Sequence, residues 1–145
     1  MPTTSVVPTV RSALVSAMQA ATSVQVSHAW PGPDTEAEGI FLGTLDVEGG
    51  IASIKAGRQH RNEELRCEVI CQIYSAAATP ADAADAEARV YELLAVLEDV
   101  CANNPQTGGI GQWLHVTSHT LTLQTFQTGW AARIVAVVSN TARLT

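Results

Sequence analysis

The chain has 145 residues, 46% hydrophobic and 15% charged, which is enough to bury one ordinary core and too apolar for a disordered segment. Eight basic against fourteen acidic residues leave a net charge of −6, which argues against a dedicated nucleic-acid binder, whose affinity comes largely from neutralised phosphates. No apolar run approaches the roughly 20 residues that cross a bilayer; the longest strong one is Ile134 to Val138.

In chain order, no charge precedes Arg11, so the amino terminus lacks the basic region of a secretory signal; with three cysteines, an odd count, this predicts folding in a reducing cytoplasm. Pro8 suits an opening turn, and Val10, Ala13, Leu14, Ala17, Met18 and Ala21 follow i, i+3, i+4 spacing, which predicts a helix over 8–21. A short strand is expected at Val24–Ala29, before Pro31, Gly32 and Pro33 break the pattern within "WPGPDTEAEG". Ile40–Val47 reads as a second strand, Gly49-Gly50 as a turn and Ile51–Ala56 as a third strand. Arg58–Glu64 is polar, and residues 48–64 together read as a protruding polar β-hairpin arm.

Leu65–Tyr74 alternates clearly. Leu65, Cys67, Val69, Cys71 and Ile73 fall on one side and Arg66, Glu68, Ile70, Gln72 and Tyr74 on the other, as in a half-buried strand. Thr79-Pro80-Ala81-Asp82 is a helix start, with threonine at the N-cap, proline at N1 and an acid near the positive end. Val90, Leu93, Leu94, Leu97, Val100 and Cys101 form its apolar stripe, and Asn103-Asn104-Pro105 ends it. "TGGIGQ" (Thr107–Gln112) is expected to be a loop, Trp113–Gln127 a strand of ambiguous phase, and Trp130–Ala142 a strand apolar on both faces at its centre. This order of helices and strands predicts an α+β fold in one domain spanning 1–145: a mainly antiparallel or mixed sheet with two helices on one face.

Cys67 and Cys71, with His60 upstream, raise the question of a metal site or a reactive thiol. On a strand, positions i and i+4 lie about 13 Å apart, whereas two zinc ligands sit about 2.3 Å from the ion and so no more than roughly 4 Å from each other. Packing is the expected role of these cysteines. His115 and His119 share the spacing and fail by the same arithmetic, and Cys101 sits on the helix stripe. Catalytic signatures are missing: there is no G-x-S-x-G, H-E-x-x-H, P-loop or G-x-G-x-x-G pattern. "TGGIGQ" follows a helix and precedes a strand, whereas phosphate cradles open a helix. The chain is therefore not expected to be an enzyme or to hold a cofactor.

Charge is unevenly placed. Lys55, Arg58, Arg61 and Arg66 crowd one segment, while Asp82, Asp85, Glu87, Glu92, Glu98 and Asp99 line the second helix with a single arginine among them. Tryptophans fall at three element boundaries, Trp30, Trp113 and Trp130, where aromatic side chains are often buried by a partner. The candidate interface residues are Trp30, Lys55, Arg58, His60, Arg61, Glu63 and Trp113.

Taken in order, "VRSALVSAMQAA" leading into "VQVSHAWPGP", "IFLGTLDVEGG", "AGRQHRNEELRCEVICQIY", "TPADAADAEARVYELLAVLEDV", "NPQTGGIGQWLHV" and "GWAARIVAVVSNTARL" cover roughly residues 8–144. In layout and in these stretches the chain resembles the tail terminator (tail completion) proteins of long, flexible-tailed bacteriophages, particularly small versions from phages of actinobacteria. It departs from them at Asn62–Arg66 and the following cysteines, where a more β-branched strand is expected. The resemblance implies a structural virion protein: a homo-hexameric ring at the head-proximal end of the tail tube. That ring would stop tube polymerisation and meet the head-completion or connector protein, with DNA passing through its lumen without specific binding and no membrane contact. Alternatives are a head–tail connector or neck protein, and a small cytosolic metal- or ligand-binding α+β domain using His115, His119 and a cysteine.

Overall fold

A computed structural model describes residues 7–34, 36–55, 58–75, 80–103, 111–126 and 129–144; the side chains at 34, 50–55, 58–62, 80–81, 111–113, 125–126 and 141–144 are outside that description. The first helix, α1 (Val7–Ala21), buries Val10, Leu14, Val15 and Met18, the stripe that helical spacing puts on one side. The second, α2 (Pro80–Asn103), opens on proline with Asp82 in its first turn, where a carboxylate favours the positive end of the helix dipole. Thr79, the expected cap, lies outside the described residues. Val90, Leu93, Leu94, Leu97, Val100 and Cys101 of α2 are all buried, and Ala83 and Ala86 extend the stripe toward its start.

The strands are β1 (Gln25–Ser27), β2 (Glu38–Lys55), β3 (Arg58–Ser75), β4 (Gly111–Phe126) and β5 (Gly129–Leu144). They form one five-stranded sheet in the order β1-β2-β3-β5-β4. Only β1 runs parallel to its neighbour; the other pairings are antiparallel, so the sheet is mixed. Both helices pack on one face of it, and a single α+β domain results. On β3, Leu65, Cys67, Val69, Cys71 and Ile73 point to the helices and are between 0% and 6% exposed. Ala132, Ile134, Ala136 and Val138 do the same on β5 and join the same core cluster. On the opposite face Ile70 and Phe41 lie across from each other and are also buried, with the Arg133 guanidinium 5.9 Å above the Phe41 ring.

The structure revises the strand boundaries. Gly49-Gly50 makes no turn: both residues lie inside β2, opposite Glu63 and Asn62, and the chain reverses between Lys55 and Arg58. The strands expected at 40–47 and 51–56 are therefore one. The polar segment 58–64 belongs to β3, and from Arg61 onward it is held between β2 and β5. A strand of 18 residues spans roughly 60 Å, and the 24 residues of α2 about 36 Å, so the β2–β3 hairpin is far longer than the helix above the sheet.

A bulge adjusts β2. Between Leu42 and Leu45 the register slips, so both leucines reach the helix side although they are three residues apart. The Thr44 amide donates to Glu68 Oε2 (3.3 Å) and Arg11 Nη2 donates to the Gly43 carbonyl (3.2 Å), fixing the bulge from the sheet and from α1. A Cβ at Gly43 would meet Glu68 Oε2 at 3.0 Å and Ile70 Cδ1 at 3.1 Å, so any larger residue here would press those side chains aside by a few tenths of an ångström.

Candidate functional site

Charged residues are grouped by element. In the hairpin, residues 49–62 contain Lys55, Arg58 and Arg61 and no acid. Their side chains, like that of His60, are outside the described residues, but the backbone register places them: Lys55 is opposite Arg58, Ser53 opposite His60 and Ile51 opposite Arg61. Arg143 of β5 lies opposite Asn62 and brings a further cation to this end of the sheet. Sequence reading missed Arg143, because no local pattern signals it; only the β3–β5 register joins positions so far apart in the chain.

Arg66 is the member of the basic segment whose side chain is described. It bonds Glu64 at 3.2 Å and lies 3.8 Å from Glu48, so its charge is largely answered within the hairpin. Arg89 is likewise engaged, bonding Glu38 at 2.8 Å and Glu92 one turn along α2. This ties α2 to the start of β2 and holds the Glu38 carboxyl below its ordinary range. On α2, Asp85, Glu92, Glu98 and Asp99 are exposed. The domain thus carries an acidic helix face and, on a separate element, a hairpin tip (49–62) whose charged residues are all basic.

Trp30 is 64% exposed, the largest value among the exposed large hydrophobic residues. It precedes a 3₁₀ turn (Gly32–Asp34) in which Gly32 has φ +67° between Pro31 and Pro33. Pro31 before the turn and Pro33 within it restrict the segment that follows the indole. Trp113 is on β4, with its side chain outside the described residues. Glu63, grouped with the exposed arm on sequence, is instead only 7% exposed. It shares the helix-side parity of Leu65 and Cys67 and lies between Gly49 and Ala142 in the neighbouring strands. Its carboxylate is therefore not on the outer surface.

The cysteines are buried, unpaired thiols. Cys67 and Cys71 face Val138 and Ile134 along one extended strand, as the alternation predicted. Burial pushes the Cys71 thiol up to about 12. Cys101 is also raised to about 12, by burial first and by the Glu98 charge second. Burial raises Cys67 as well, against the opposing effect of the Arg11 guanidinium. Protonated thiols in apolar surroundings are poor nucleophiles. His115 and His119 end on opposite faces, because the register slip between Val116 and Ser118 reverses the alternation: His115 pairs with Ser139 and His119 with Ala136. Among the described residues no group of three or more His, Cys, Asp or Glu is placed to hold a metal ion.

A small apolar pocket lies under α1, lined by Val10, Leu14, Leu45, Leu65 and Leu114, with Asn140 and Cys67 on its wall. Asn140 is 2% exposed, and neither of its amide atoms has a hydrogen-bond partner among the described residues. No helix of the described residues is long and apolar enough to cross a membrane. Comparison with models of known protein families and with curated proteins returns no match.

Proposed function

We propose that this chain is a structural virion subunit, a tail terminator that assembles head to tail into a ring on the head-proximal end of a phage tail tube and stops its growth. A ring built from one kind of contact requires two different, complementary patches on every subunit. The observation that carries this reading is the segregation of charge: the hairpin tip and the adjoining end of β5 place Lys55, Arg58, Arg61 and Arg143 at one end of the sheet, while Asp85, Glu92, Glu98 and Asp99 of α2 are exposed. Trp30, exposed just before a proline-containing turn, is the kind of aromatic anchor that a partner buries. Six copies per ring, the tube protein and the head-completion protein as neighbours, and DNA in the lumen follow from the family resemblance. A net charge of −6 per subunit suits a channel through which DNA must slide, since cationic walls would retain phosphates. The metal-site alternative is weakened by the bulge that sends His115 and His119 to opposite faces.

The test is electron microscopy of purified protein mixed with tail tubes, together with a phage lacking the chain. Capped tube ends are expected in the mixture. Heads accompanied by overlong or headless tails are expected in the deletion, and normally joined particles there would overturn the proposal. Reversing the hairpin charges with Arg58→Glu and Arg61→Glu should abolish capping while leaving the chain folded.

A further inference from the structure

β4 is the last strand of the sheet, and among the described residues no strand pairs with its outer edge. From Ser118 to Phe126 its register with β5 is unbroken. Between His115 and Trp130 the sequence has no Asp, Glu, Lys, Arg or Pro. Natural edges are usually blunted by such residues or by bulges, since a free row of amides and carbonyls invites another strand. The opposite edge of this sheet is blunted over 39–48: β1 covers β2 at 39–41, the bulge at Gly43-Thr44 follows, and Asp46 and Glu48 come next. The outer half of β4 has no comparable protection. Thr117 to Gln124 are exposed apart from half-buried Leu121. Two of the exposed large apolar side chains flank this edge, Leu123 at 40% and Tyr91 of α2 at 39%. Tyr91 is fixed there by an edge-on ring contact with His119 at 5.6 Å and by its hydroxyl, 3.3 Å from His119 Nε2.

We propose that this edge pairs antiparallel with the same edge of a second copy, about a two-fold axis at Thr122. The strand's own sequence identifies the occupant. Centred on Thr122, the pairing sets Leu121 against the second copy's Leu123 and the reverse, on the helix side of both sheets. On the other side Thr122 meets Thr122 and Thr120 meets Gln124. Further out, His119 falls opposite Thr125 and Ser118 opposite Phe126, so no like charges are opposed anywhere in the ladder. Centring on Thr120 would instead put Leu121 against His119 and draw the bulge at Val116–Ser118 into the ladder. The two sheets become one, with the helices of both copies on the same side, and Leu123 and Tyr91 gain an apolar neighbour. The pairing uses neither the hairpin nor the acids of α2, so it stands apart from the ring reading.

The test uses the full chain in sedimentation velocity over a concentration series. The wild type is expected to reach twice the chain mass. Thr122→Lys and Thr122→Glu each set like charges face to face, and each should halve the observed mass at the same concentration. An equimolar mixture of the two variants should restore the paired species, because residue 122 meets its own counterpart. Arg133 lies opposite Thr122 in β5, so the neutral variant Thr122→Cys provides a second measurement. Directly opposed residues sit about 4.5–5.5 Å apart at Cα, within disulfide range, and mild oxidation should give an interchain bridge while the three buried native thiols stay silent. A wild type of single-chain mass throughout, unchanged association of both charged variants, or a mixture that fails to recover would overturn the pairing. A larger assembly that survives Thr122→Lys would overturn it too and leave the ring reading intact.

Discussion

Replacing Asn140 by leucine should stabilise the chain. Asn140 lies in β5 opposite Leu65, is 2% exposed, and points both amide atoms where no described residue bonds them. Leaving a buried amide unpaired costs about 1–3 kcal/mol. Leucine is close in size, removes that cost, and adds methyl groups to a pocket already lined by Leu65, Leu114 and Val138. A gain of about 1–3 kcal/mol is expected, and for a chain of this size each kcal/mol moves Tm by about 2–4 °C. Urea unfolding gives the free energy by linear extrapolation, and an unchanged slope shows that both variants expose the same surface. Asn140→Asp is the counterpart: it puts an unpaired charge in the same place and should destabilise more than any neutral substitution there. If Asn140→Leu proves less stable than wild type by more than about 1 kcal/mol, the amide is bonded in solution and the reasoning fails.

Gly43→Val should cost about 1–3 kcal/mol, read as a lower urea midpoint, because the new side chain crowds Ile70 and the Glu68 carboxylate that holds the bulge; an unchanged midpoint would show that the bulge yields. For Glu38 the sign follows from its depressed folded pKa. Its contribution is complete above the unfolded value of 4.5 and is lost as pH falls through the lower folded value. Both partners are more than a third exposed (38% and 40%), so Glu38→Gln should cost less than about 1 kcal/mol near neutrality and nothing in strong acid. A difference between the two proteins that persists in strong acid would disprove the pairing as its source. The three cysteines should react with a thiol reagent only as fast as the chain opens, and all should react once it is denatured; rapid labelling of the native chain would contradict their burial.

Where one side of an element meets water and the other meets the core, the residue pattern records it. That contrast made α1, α2 and the centre of β3 legible, down to which alternate residues of Leu65–Ile73 are buried. It failed where neither side is strongly apolar. The residues of 58–64 are polar because this part of the hairpin lies beyond most of the core, yet from Arg61 the backbone is paired on both sides, and ladder hydrogen bonds leave no mark on side-chain hydropathy. Gly49-Gly50 misleads for a related reason. Glycine permits a turn without requiring one, and a ladder running from Glu38–Ile73 to Lys55–Arg58 overrides the local preference. The ambiguous phase of β4 was real information, since two register slips, at Gln112–His115 and Val116–Ser118, interrupt its alternation.

The candidate interface was legible as composition and illegible as arrangement. A run containing Lys55, Arg58 and Arg61 announces a cationic surface wherever it lies. Which charges stay available depends on neighbours that only folding supplies: Arg66 is answered by Glu48 and Glu64, Glu63 is buried between strands, and Arg143 arrives from the end of the chain. Burial of Glu63 and the register position of Arg143 raise the cationic share at this end of the sheet, and the ion pairs of Arg66 lower it. On the proposed ring reading that grouping favours contact between the hairpin tip of one copy and α2 of the next, because two tips or two α2 faces brought together would repel.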